Sequence, residues 1–337
     1  MTNPSQLISN HEPKGETEIF SVQQPGLMTT VQDRGRFLYQ WMGMPISGAL
    51  DQYAYRVGNI LLMQDENHAC LEMTYLGPQL KVLSNTQIVV TGADVAPKWN
   101  GKPIPMWTAI ALHAGDDLTI GSARSGCRAY LCVRGGIDVP QIMGSRSTNL
   151  RLKTGGFQGR VLRSGDQLSS LPCKESIEKA DCQSLPGDFI PNYPSSVVVR
   201  VIPGPQKNYF DKREGIKTFL GSTYKVSAEA NREGFRLDGP SVEIKKGMKK
   251  SIPSEACPPG GVQIRPNGKP IILLNDLGGG GYAKIATILS SDLPKVAQLK
   301  PGDQIIFKEV SLSEAHRVLR EEENKMNQLK KLLGFPR

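Results

Sequence analysis

Short apolar runs, bounded by Gly, Pro, Asn or Asp, recur along the chain. The clearest lie at residues 87–91, 128–133, 197–202 and 271–274. Each run is rich in β-branched residues and too short for a typical helix, so each predicts a strand. The 35 glycines and 24 prolines among 337 residues favour frequent tight turns over long helices. The pattern therefore predicts a mainly β protein with few, short helices.

Helical periodicity is confined to a few places. Between Ala49 and Leu62, apolar positions fall on one helical face, with Asp51 near its start. The clearest helix begins at Ser311, which forms a capping box with Glu314. Its predicted apolar stripe comprises Leu312, Ala315, Leu319, Met326, Leu329 and Leu333. We expect this stripe to pack on its own chain rather than on a partner.

A polar, proline-rich stretch at residues 170–196 has no apolar periodicity and predicts a linker. Three turn signals occur in the same order on both sides of it: Gly-Pro, then Asn-Gly-Lys-Pro-Ile, then Leu-x-x-Gly-Asp. Such turns also arise independently, but their shared order favours duplication of a β-domain. We therefore expect a disordered tail at 1–18, β-domains at 19–169 and 197–310 flanking the linker at 170–196, and a C-terminal helix at 311–337.

Several classes of protein are disfavoured by residue content. The six cysteines form no Cys-x-x-Cys pair, so we expect free thiols and no metal site. Neither His68 nor His113 lies in a nucleophile motif, which disfavours a Ser-His-Asp or Cys-His hydrolase. No run approaches the ~18 apolar residues of a membrane span, and the N-terminus lacks a signal core. We expect a cytoplasmic protein.

The formal net charge of +9 fits nucleic acid, anionic membranes or small acidic ligands as partners. The densest basic patch, at residues 245–250, has the glycine and flanking alternation of a solvated hairpin tip. The arginine–aromatic interleaving of nucleic-acid modules is missing. Of these partners a small acidic ligand is favoured, and neither nucleic acid nor a membrane is expected.

Polar clusters at turns beside glycine are the candidate sites, because backbone and side chains approach ligands closely there. The candidate residues are Asp33, Ser47, Asp51, Asp94, Ser145, Arg146, Ser147, Thr148, Arg236, Asp276 and Tyr282. Ser47 also fits a helix N-cap, and Asp94 an ordinary turn former. Ordering the four glycines at 278–281 costs conformational entropy. We therefore expect the backbone there to contact a ligand or a partner, or to adopt unusual φ/ψ angles. The alternative is a flexible loop.

Ordered motifs from about residue 20 to residue 307 resemble the biotin-dependent carboxyltransferase-like family, also called allophanate hydrolase subunit 2. The matching segments lie at 25–36, 45–51, 71–78, 91–94, 135–137, 144–148, 155–162, 204–206, 254–255 and 282–285. Two departures stand out. Glu233 replaces the usual methionine, and the loop at 276–282 is one residue shorter and lacks the family's Gln-Thr-Thr. The shortened loop suggests a divergent paralogue with a different substrate.

The resemblance implies two cyclophilin-like β-barrel units and a role as one subunit of an ATP-dependent 5-oxoprolinase complex. Its implied partners are a B-type (KipI-like) subunit and an A-type (LamB/YcsF-like) subunit. ATP is expected at the level of the complex, with no tightly bound cofactor in this chain. One alternative is a biotin-dependent carboxyltransferase component for urea or allophanate, with biotin on another chain. Another is a non-catalytic regulatory partner of a KipI-like protein.

The implied reactions polarise an amide carbonyl and stabilise an oxyanion, for which arginines, backbone amides and hydroxyls are suitable groups. On this basis Arg146 and Arg236 are assigned to anion binding. Ser145, Ser147 and Thr148, together with Ser47, are assigned to hydrogen bonding with substrate. The acid–base or orienting candidates are Asp33, Asp51, Asp94 and Asp276, and Tyr282 is the residue expected to close the pocket.

Overall fold

The computed structural model of the protein describes residues 17–172 and 183–335. Two compact units are present. The first takes in the chain up to Phe37, then Ser47–Asn192, and the residues from Gln328 onward; the second comprises Leu38–Ile46 and Tyr193–Asn327. The predicted tail and the middle of the predicted linker lie outside the described residues, but Thr17 and Glu18 already belong to the first strand.

The first unit contains twelve strands among its described residues, and one α-helix that lies wholly within it, α1 (Gln52–Leu61). The strands are β1 (Thr17–Gln24), β2 (Met28–Gln32), β3 (Cys70–Thr74), β4 (Gln79–Val82), β5 (Thr86–Asp94), β6 (Lys98–Trp99), β7 (Lys102–Pro103), β8 (Ala109–Leu112), β9 (Asp117–Thr119), β10 (Ser125–Val133), β11 (Ile137–Asp138) and β12 (Gln167–Ser170). They form a seven-stranded sheet in the order β11-β12-β1-β4-β9-β6-β7 and a five-stranded sheet in the order β2-β3-β10-β5-β8.

One apolar core joins the two sheets of the first unit. Phe20 and Leu80 enter it from the larger sheet, and Leu71, Val90 and Leu131 from the smaller. Helix α1 packs against β5 and β10, where the Thr91 hydroxyl donates to the carbonyl of Ala54 at 2.8 Å. Because these two strands are covered on both faces, they are almost continuously buried instead of alternating.

The second unit is built around a closed barrel with the strand order β13-β20-β17-β18-β15-β14-β21. Its strands are β13 (Ser196–Pro203), β14 (Thr223–Val226), β15 (Gly234–Asp238), β16 (Glu255–Ala256), β17 (Gly261–Ile264), β18 (Pro270–Leu273), β19 (Gly279–Gly280), β20 (Lys284–Ile288) and β21 (Gln304–Glu309). Its helices are α2 (Lys217–Gly221), α3 (Leu293–Ala297) and α4 (Leu312–Leu332), the last divided between the units at Gln328. Strands β16 and β19 form a separate two-stranded sheet. The mainly β fold class and the C-terminal helix are confirmed.

The two Asn-Gly turns both connect hairpins, but they differ in conformation. Asn100 and Gly101 have φ angles of 48° and 78°, as a type I′ turn between β6 and β7 requires. Between β17 and β18, only Gly268 has a positive φ, 77°, and its N–H donates to the carbonyl of Arg265 at 2.8 Å. The second hairpin is therefore a longer loop that needs glycine at one position only.

The apolar stripe of α4 is centred one residue away from its predicted position. Met326, Leu329 and Leu333 are buried as predicted, but Leu312 and Leu319 are exposed. Val318 is buried instead, against Leu289 and Val310 of the second unit. The cap is partly confirmed, since the Ser311 hydroxyl accepts the N–H of Glu314 at 3.2 Å.

Four of the predicted free thiols belong to the part of the chain that the structure describes. Cys70, Cys127, Cys132 and Cys257 are unpaired with one another and buried. Across residues 17–172 and 183–335, no group of three or more His, Cys, Asp or Glu side chains is arranged to hold a metal ion. None of the helices in these ranges combines the length and apolar character that a membrane span requires.

A buried ion pair joins β13 to the start of α3. Asp292 is fully buried, and its carboxylate accepts hydrogen bonds from Arg200 Nε at 2.8 Å and Nη2 at 2.7 Å. Lys295 Nζ lies 2.8 Å from the same carboxylate. Burial alone would raise the pKa of Asp292, but the hydrogen bonds from Arg200 and Lys295 outweigh it and hold the pKa below its ordinary value. The carboxylate is therefore ionised in the folded protein at neutral pH.

Replacing this carboxylate tests its contribution to stability. We expect Asp292→Asn to lower the free energy of unfolding by about 2–4 kcal/mol at pH 7, because two cations lose their counter-charge. The folded-state pKa lies below the unfolded value of about 3.9, so the wild type loses this stability as pH falls through that range. The variant should therefore show a weaker loss of stability between about pH 5 and pH 2. Denaturant unfolding at several pH values measures both effects.

Arg317→Gln is the control, because it breaks an exposed pair with Glu321 that contributes at most about 1 kcal/mol. Equal destabilisation by the two substitutions would contradict a structural role for Asp292.

Candidate functional site

The Asp33 carboxylate accepts hydrogen bonds from the predicted serine and arginine cluster. It follows β2 and is 7% exposed. Its Oδ1 accepts hydrogen bonds from Gly35 N at 2.8 Å, Ser145 Oγ at 2.8 Å and Ser147 Oγ. Its Oδ2 accepts the N–H of Arg146 at 2.5 Å. These predicted site residues do lie together, but the donors are directed at Asp33, which gives them a structural role.

A buried arginine lies behind this cluster. Arg36 is fully buried, and it donates from Nε to the carbonyl of Ile142 at 2.9 Å and from Nη2 to that of Ser147 at 3.0 Å. Thr148 is also turned inward, with its hydroxyl donating to the carbonyl of Val31 at 2.9 Å. The loops at 33–36 and 142–148 are therefore joined into one rigid structure. Arg36 was not among the candidates, although it ends the matching segment at 25–36.

Arg146 has its own counter-charge. Its Nη2 lies 3.3 Å from Oδ1 of Asp138, and its side chain is 19% exposed. Within the described residues the guanidinium therefore has one carboxylate contact, while its Nε is buried without a hydrogen-bond partner. Its predicted role in anion binding would require the Asp138 contact to weaken.

Ser47 is not the N-cap of the first helix. It is fully buried with a φ of 55°, and its hydroxyl accepts a hydrogen bond from Asn149 Nδ2 at 3.1 Å. Asp51 caps the helix instead, since its Oδ1 accepts the N–H of Ala54 at 2.9 Å. The left-handed conformations at Ser47 and Gly48 turn the chain before the helix begins. Asp51 is fully buried, so its carboxylate also has a structural role.

A carboxylate that was not predicted lies beneath this turn. Glu72 in β3 is 1% exposed, and its Oε2 accepts hydrogen bonds from Tyr130 Oη at 2.8 Å and Leu50 N at 2.9 Å. Arg128 Nε lies 3.8 Å from its Oε1. Burial, and then the charge of Glu72, raise the pKa of Tyr130, which remains a neutral hydrogen-bond donor. The sequence signal that could have identified Glu72 is a single glutamate within an otherwise mainly apolar strand.

Asp94 lies at the other end of the five-stranded sheet from Asp33. Asp33 directly follows Gln32, the last residue of β2, which pairs with Cys70 at the start of β3. Asp94 is the last residue of β5 and pairs with Ser125 at the opposite end of the sheet. Asp94 lies four positions along β5 from Val90, a distance of about 13 Å, and Val90 is in the same row as Val31, two residues before Asp33. Its Oδ1 accepts the N–H of Ala96 at 3.2 Å, which is the geometry of an ordinary turn former. The two aspartates do not form one site.

In the second unit, the predicted residues are spread over separate contacts. Asp276 accepts from Arg232 Nε at 2.9 Å and Nη2 at 3.2 Å, and both side chains are 5% exposed. This buried pair anchors the start of the glycine run. Arg236 pairs with Glu229 at 2.9 Å on the surface. Tyr282 is half-buried just before β20.

Close backbone packing accounts for the glycine run at 278–281. A Cβ on Gly278 would lie 2.2 Å from the carbonyl oxygen of Gly43, and one on Gly280 would lie 2.7 Å from Gln263 Nε2. Their φ angles lie outside the left-handed region, so crowding is the cause rather than a special turn. Gly279 and Gly280 form β19, paired with Ala256 and Glu255 in β16. The run is therefore ordered by its own chain.

Beside this small sheet lies a group that we call the lysine–glutamate cluster, made of Gln206, Glu255 and Lys284. Lys284 is 3% exposed, and its Nζ donates to Oε1 of Glu255. Gln206 Nε2 donates to the same oxygen at 3.0 Å, while Gln206 Oε1 accepts the N–H of Lys284 at 3.1 Å. Three segments of the predicted family pattern, at 204–206, 254–255 and 282–285, therefore converge here.

Only one oxygen of Glu255 receives these donors. The Glu255 side chain remains 44% exposed although its partner is buried. The hydrogen bond from Lys284 is the largest influence on Glu255 and lowers its pKa, so the carboxylate is ionised at neutral pH. Glu255 therefore presents an accessible carboxylate to a small polar ligand, whereas the Lys284 ammonium paired with it is buried. These three residues were not among the candidates, although the matching segments contain all of them.

Cys257 lies next to the lysine–glutamate cluster. Its Sγ lies 3.4 Å from the carbonyl oxygen of Glu255, and Gln263 Nε2 lies 3.6 Å from the Sγ. Burial raises the pKa of the Cys257 thiol more than the nearby Lys284 lowers it. The thiol is therefore neutral at pH 7, which is unsuitable for a nucleophile.

The chain belongs to the carboxyltransferase domain family, subdomain A and B, whose sequence profile matches residues 42–309. Among its relatives is the C subunit of 5-oxoprolinase from Escherichia coli (strain K12), 35% identical over 92% of this chain and 97% of the relative. Urea amidolyase of Saccharomyces cerevisiae is 34% identical over 92% of this chain but only 17% of its own length. The family resemblance drawn from the motifs is confirmed.

Solved structures agree with this membership. The urea amidolyase of K. lactis superposes on 94% of this chain with a TM-score of 0.86 and 31% identity, using 20% of its own chain. The urea carboxylase of Kluyveromyces lactis gives a TM-score of 0.85 at 31% identity over 94% of this chain and 30% of its own. The chain therefore corresponds to a fraction of these larger enzymes and to nearly all of the E. coli relative.

The crowding at Gly280 gives a direct test of the packing around the cluster. We expect Gly280→Ala to destabilise the protein by about 1–3 kcal/mol, because the new methyl group overlaps the buried Gln263 amide. Gly221→Ala is the matched control, since this α2 glycine has open space around its Cα and should become about 0.5–1 kcal/mol more stable. Unfolding free energies measure both, and a neutral Gly280→Ala would mean that β19 is not held against Gln263.

Proposed function

We propose that the chain is the C subunit of an ATP-dependent 5-oxoprolinase complex, which hydrolyses the lactam of 5-oxoproline to glutamate. The C subunits of the Escherichia coli and Haemophilus influenzae 5-oxoprolinases align with it over 97% and 95% of their lengths. These two relatives are therefore matched over nearly their whole length, which supports the proposal. The proposed partners are the A-type and B-type subunits, and the proposed location is the cytoplasm.

The lysine–glutamate cluster is the observation that carries the chemical part of the proposal. A lactam is a cis amide, so its N–H and its carbonyl oxygen lie on the same edge. The open oxygen of Glu255 is suited to accept the N–H, because this side chain is ionised and 44% exposed. The ammonium of Lys284 is buried against Glu255, so it would act through its positive charge on negative charge that develops beside this carboxylate as the ring opens. Gln206 keeps the carboxylate in place through its two hydrogen bonds.

ATP enters this proposal as a substrate of the complex. The chain lacks the Gly-Lys-Ser/Thr ending of a Walker A loop, the common phosphate-binding sequence. We therefore assign phosphoryl transfer to the other subunits and substrate amide recognition to this one. The chain would be inactive or nearly so by itself.

A second candidate is a biotin-dependent carboxyltransferase component for urea or a related amide. The fit to the Kluyveromyces lactis urea carboxylase over 94% of this chain favours it. Urea also presents N–H groups and a carbonyl oxygen, so the same cluster would serve. The sequence contains no Met-Lys-Met biotinylation site, and another chain would have to carry the biotin.

Reconstitution distinguishes the two candidates. We expect ATP-dependent release of glutamate from 5-oxoproline only when this chain is mixed with A-type and B-type subunits. ATP hydrolysis that depends on urea, bicarbonate and a biotinylated partner, without glutamate release, would favour the carboxyltransferase. If the B-type subunit binds but neither reaction occurs, a regulatory partner of that subunit becomes the better interpretation.

Substitutions in the cluster test its role within the active complex. We expect Lys284→Met and Glu255→Gln each to lower kcat by about 100-fold or more, because each removes a charged group aimed at the amide. Lys81→Met is the control, since it breaks the exposed pair with Asp117 in the first unit. Steady-state kinetics and a binding assay for the partner subunits separate lost catalysis from lost assembly. Activity within about threefold of wild type in both variants would reject the assignment.

A further inference from the structure

A cleft of about 440 Å³ opens in the first unit, which does not contain the lysine–glutamate cluster. Asp33 and the side chains of Arg34, Asn67 and Gln141 line it, and the exposed ring of Phe37 forms part of its wall. This volume lies in the range of small-molecule sites. None of the three residues of the lysine–glutamate cluster lines this cleft, so its interpretation does not rest on the proposed role of that cluster.

The walls of the cleft are rigid before any ligand arrives. Asp33 fixes one wall by accepting the N–H of Gly35 at 2.8 Å, and it fixes the facing loop by accepting the N–H of Arg146 at 2.5 Å. The buried Arg36 joins the same loops through the carbonyls of Ile142 and Ser147. The two loops are therefore tied together before binding, and the conformational entropy lost on binding comes from the lining side chains.

Hydrogen-bond donors dominate the open part of the cleft. The side chains of Arg34, Asn67 and Gln141 make no hydrogen bond or ion pair with any residue in the described ranges. By contrast, the neighbouring Arg36 and Arg146 are held by protein oxygens. Asp33 also lines the cleft, but it is 7% exposed and its two oxygens are occupied by four donors. Among the lining residues, Arg34 is the one that carries a positive charge.

We propose that this cleft binds a small molecule through a carboxylate or phosphate group. Arg34 supplies the positive charge and paired N–H donors that suit such groups, and the amides of Asn67 and Gln141 supply further donors. The ring of Phe37 provides an apolar surface for the remainder of the ligand. The site is thus an anion subsite on the first unit, distinct from amide recognition in the second.

Titration of the ¹⁵N-labelled full chain with inorganic phosphate, and separately with acetate, tests the proposal. We expect saturable shifts of the Gly35 and Gly144 amide signals, since both residues line the cleft. Arg34→Gln and Asn67→Asp should each raise the Kd by about tenfold or more, one by removing the cation and the other by adding a negative charge. Both side chains are exposed and make no hydrogen bond or ion pair within the described ranges, so the fold should be unaffected.

Arg124→Gln is the matched control, because this exposed arginine lies in the same unit beside Asp94, at the other end of the five-stranded sheet. We expect it to leave the Kd unchanged. Saturation by phosphate alone or by acetate alone would support the site and identify the anionic group. No saturable shift with either anion, or equal weakening by Arg124→Gln and Arg34→Gln, would overturn the proposal.

Discussion

A carboxylate that leaves water must be given donors or counter-charges, and this requirement organises both units. Removing an ion from water without compensation costs several kcal/mol. Asp33, Asp276 and Asp292 are each buried, and each is compensated by groups distant in sequence. Ser147 lies 114 residues from Asp33, and Arg200 lies 92 residues from Asp292. Because the donors come from other loops, each carboxylate connects segments of the chain that are not joined by hydrogen bonds between strands.

Features that depend on local spacing could be predicted from the sequence. The short β-branched runs became strands, and Asn100-Gly101 adopted a turn that needs positive φ at both residues. The second Asn-Gly turn has a different conformation, because a hairpin can also form with one glycine in the left-handed region. The stripe of α4 was displaced from Leu319 to Val318. Periodicity gives the width of an apolar face, whereas its centre depends on the surface against which it packs.

The candidate site could be predicted much less well, since a residue's role depends on its distant neighbours. Asp33 was identified as a candidate because it lies beside a glycine turn. The sequence did not show that the protein itself supplies the hydrogen-bond donors to this carboxylate. The cluster of Gln206, Glu255 and Lys284 draws on three segments up to 78 residues apart, and nothing local shows that Lys284 is buried. The glycine run was expected to meet a ligand, a partner or unusual φ/ψ demands, whereas the structure shows it packed against its own chain. The identity of the neighbours, Gly43 and Gln263, required the fold.

Glu255 differs from Asp33, Asp276 and Asp292 in having an oxygen left for a ligand. Asp33, Asp276 and Asp292 have donors on both oxygens, so they have little capacity for proton transfer or substrate binding. Glu255 has Lys284 and Gln206 on one oxygen and keeps an exposed side chain. Lactam opening and urea carboxylation both begin with an amide that offers N–H and carbonyl groups together. A cluster that recognises this shared unit would allow one fold to serve both reactions, with the choice between them made by the partner chains.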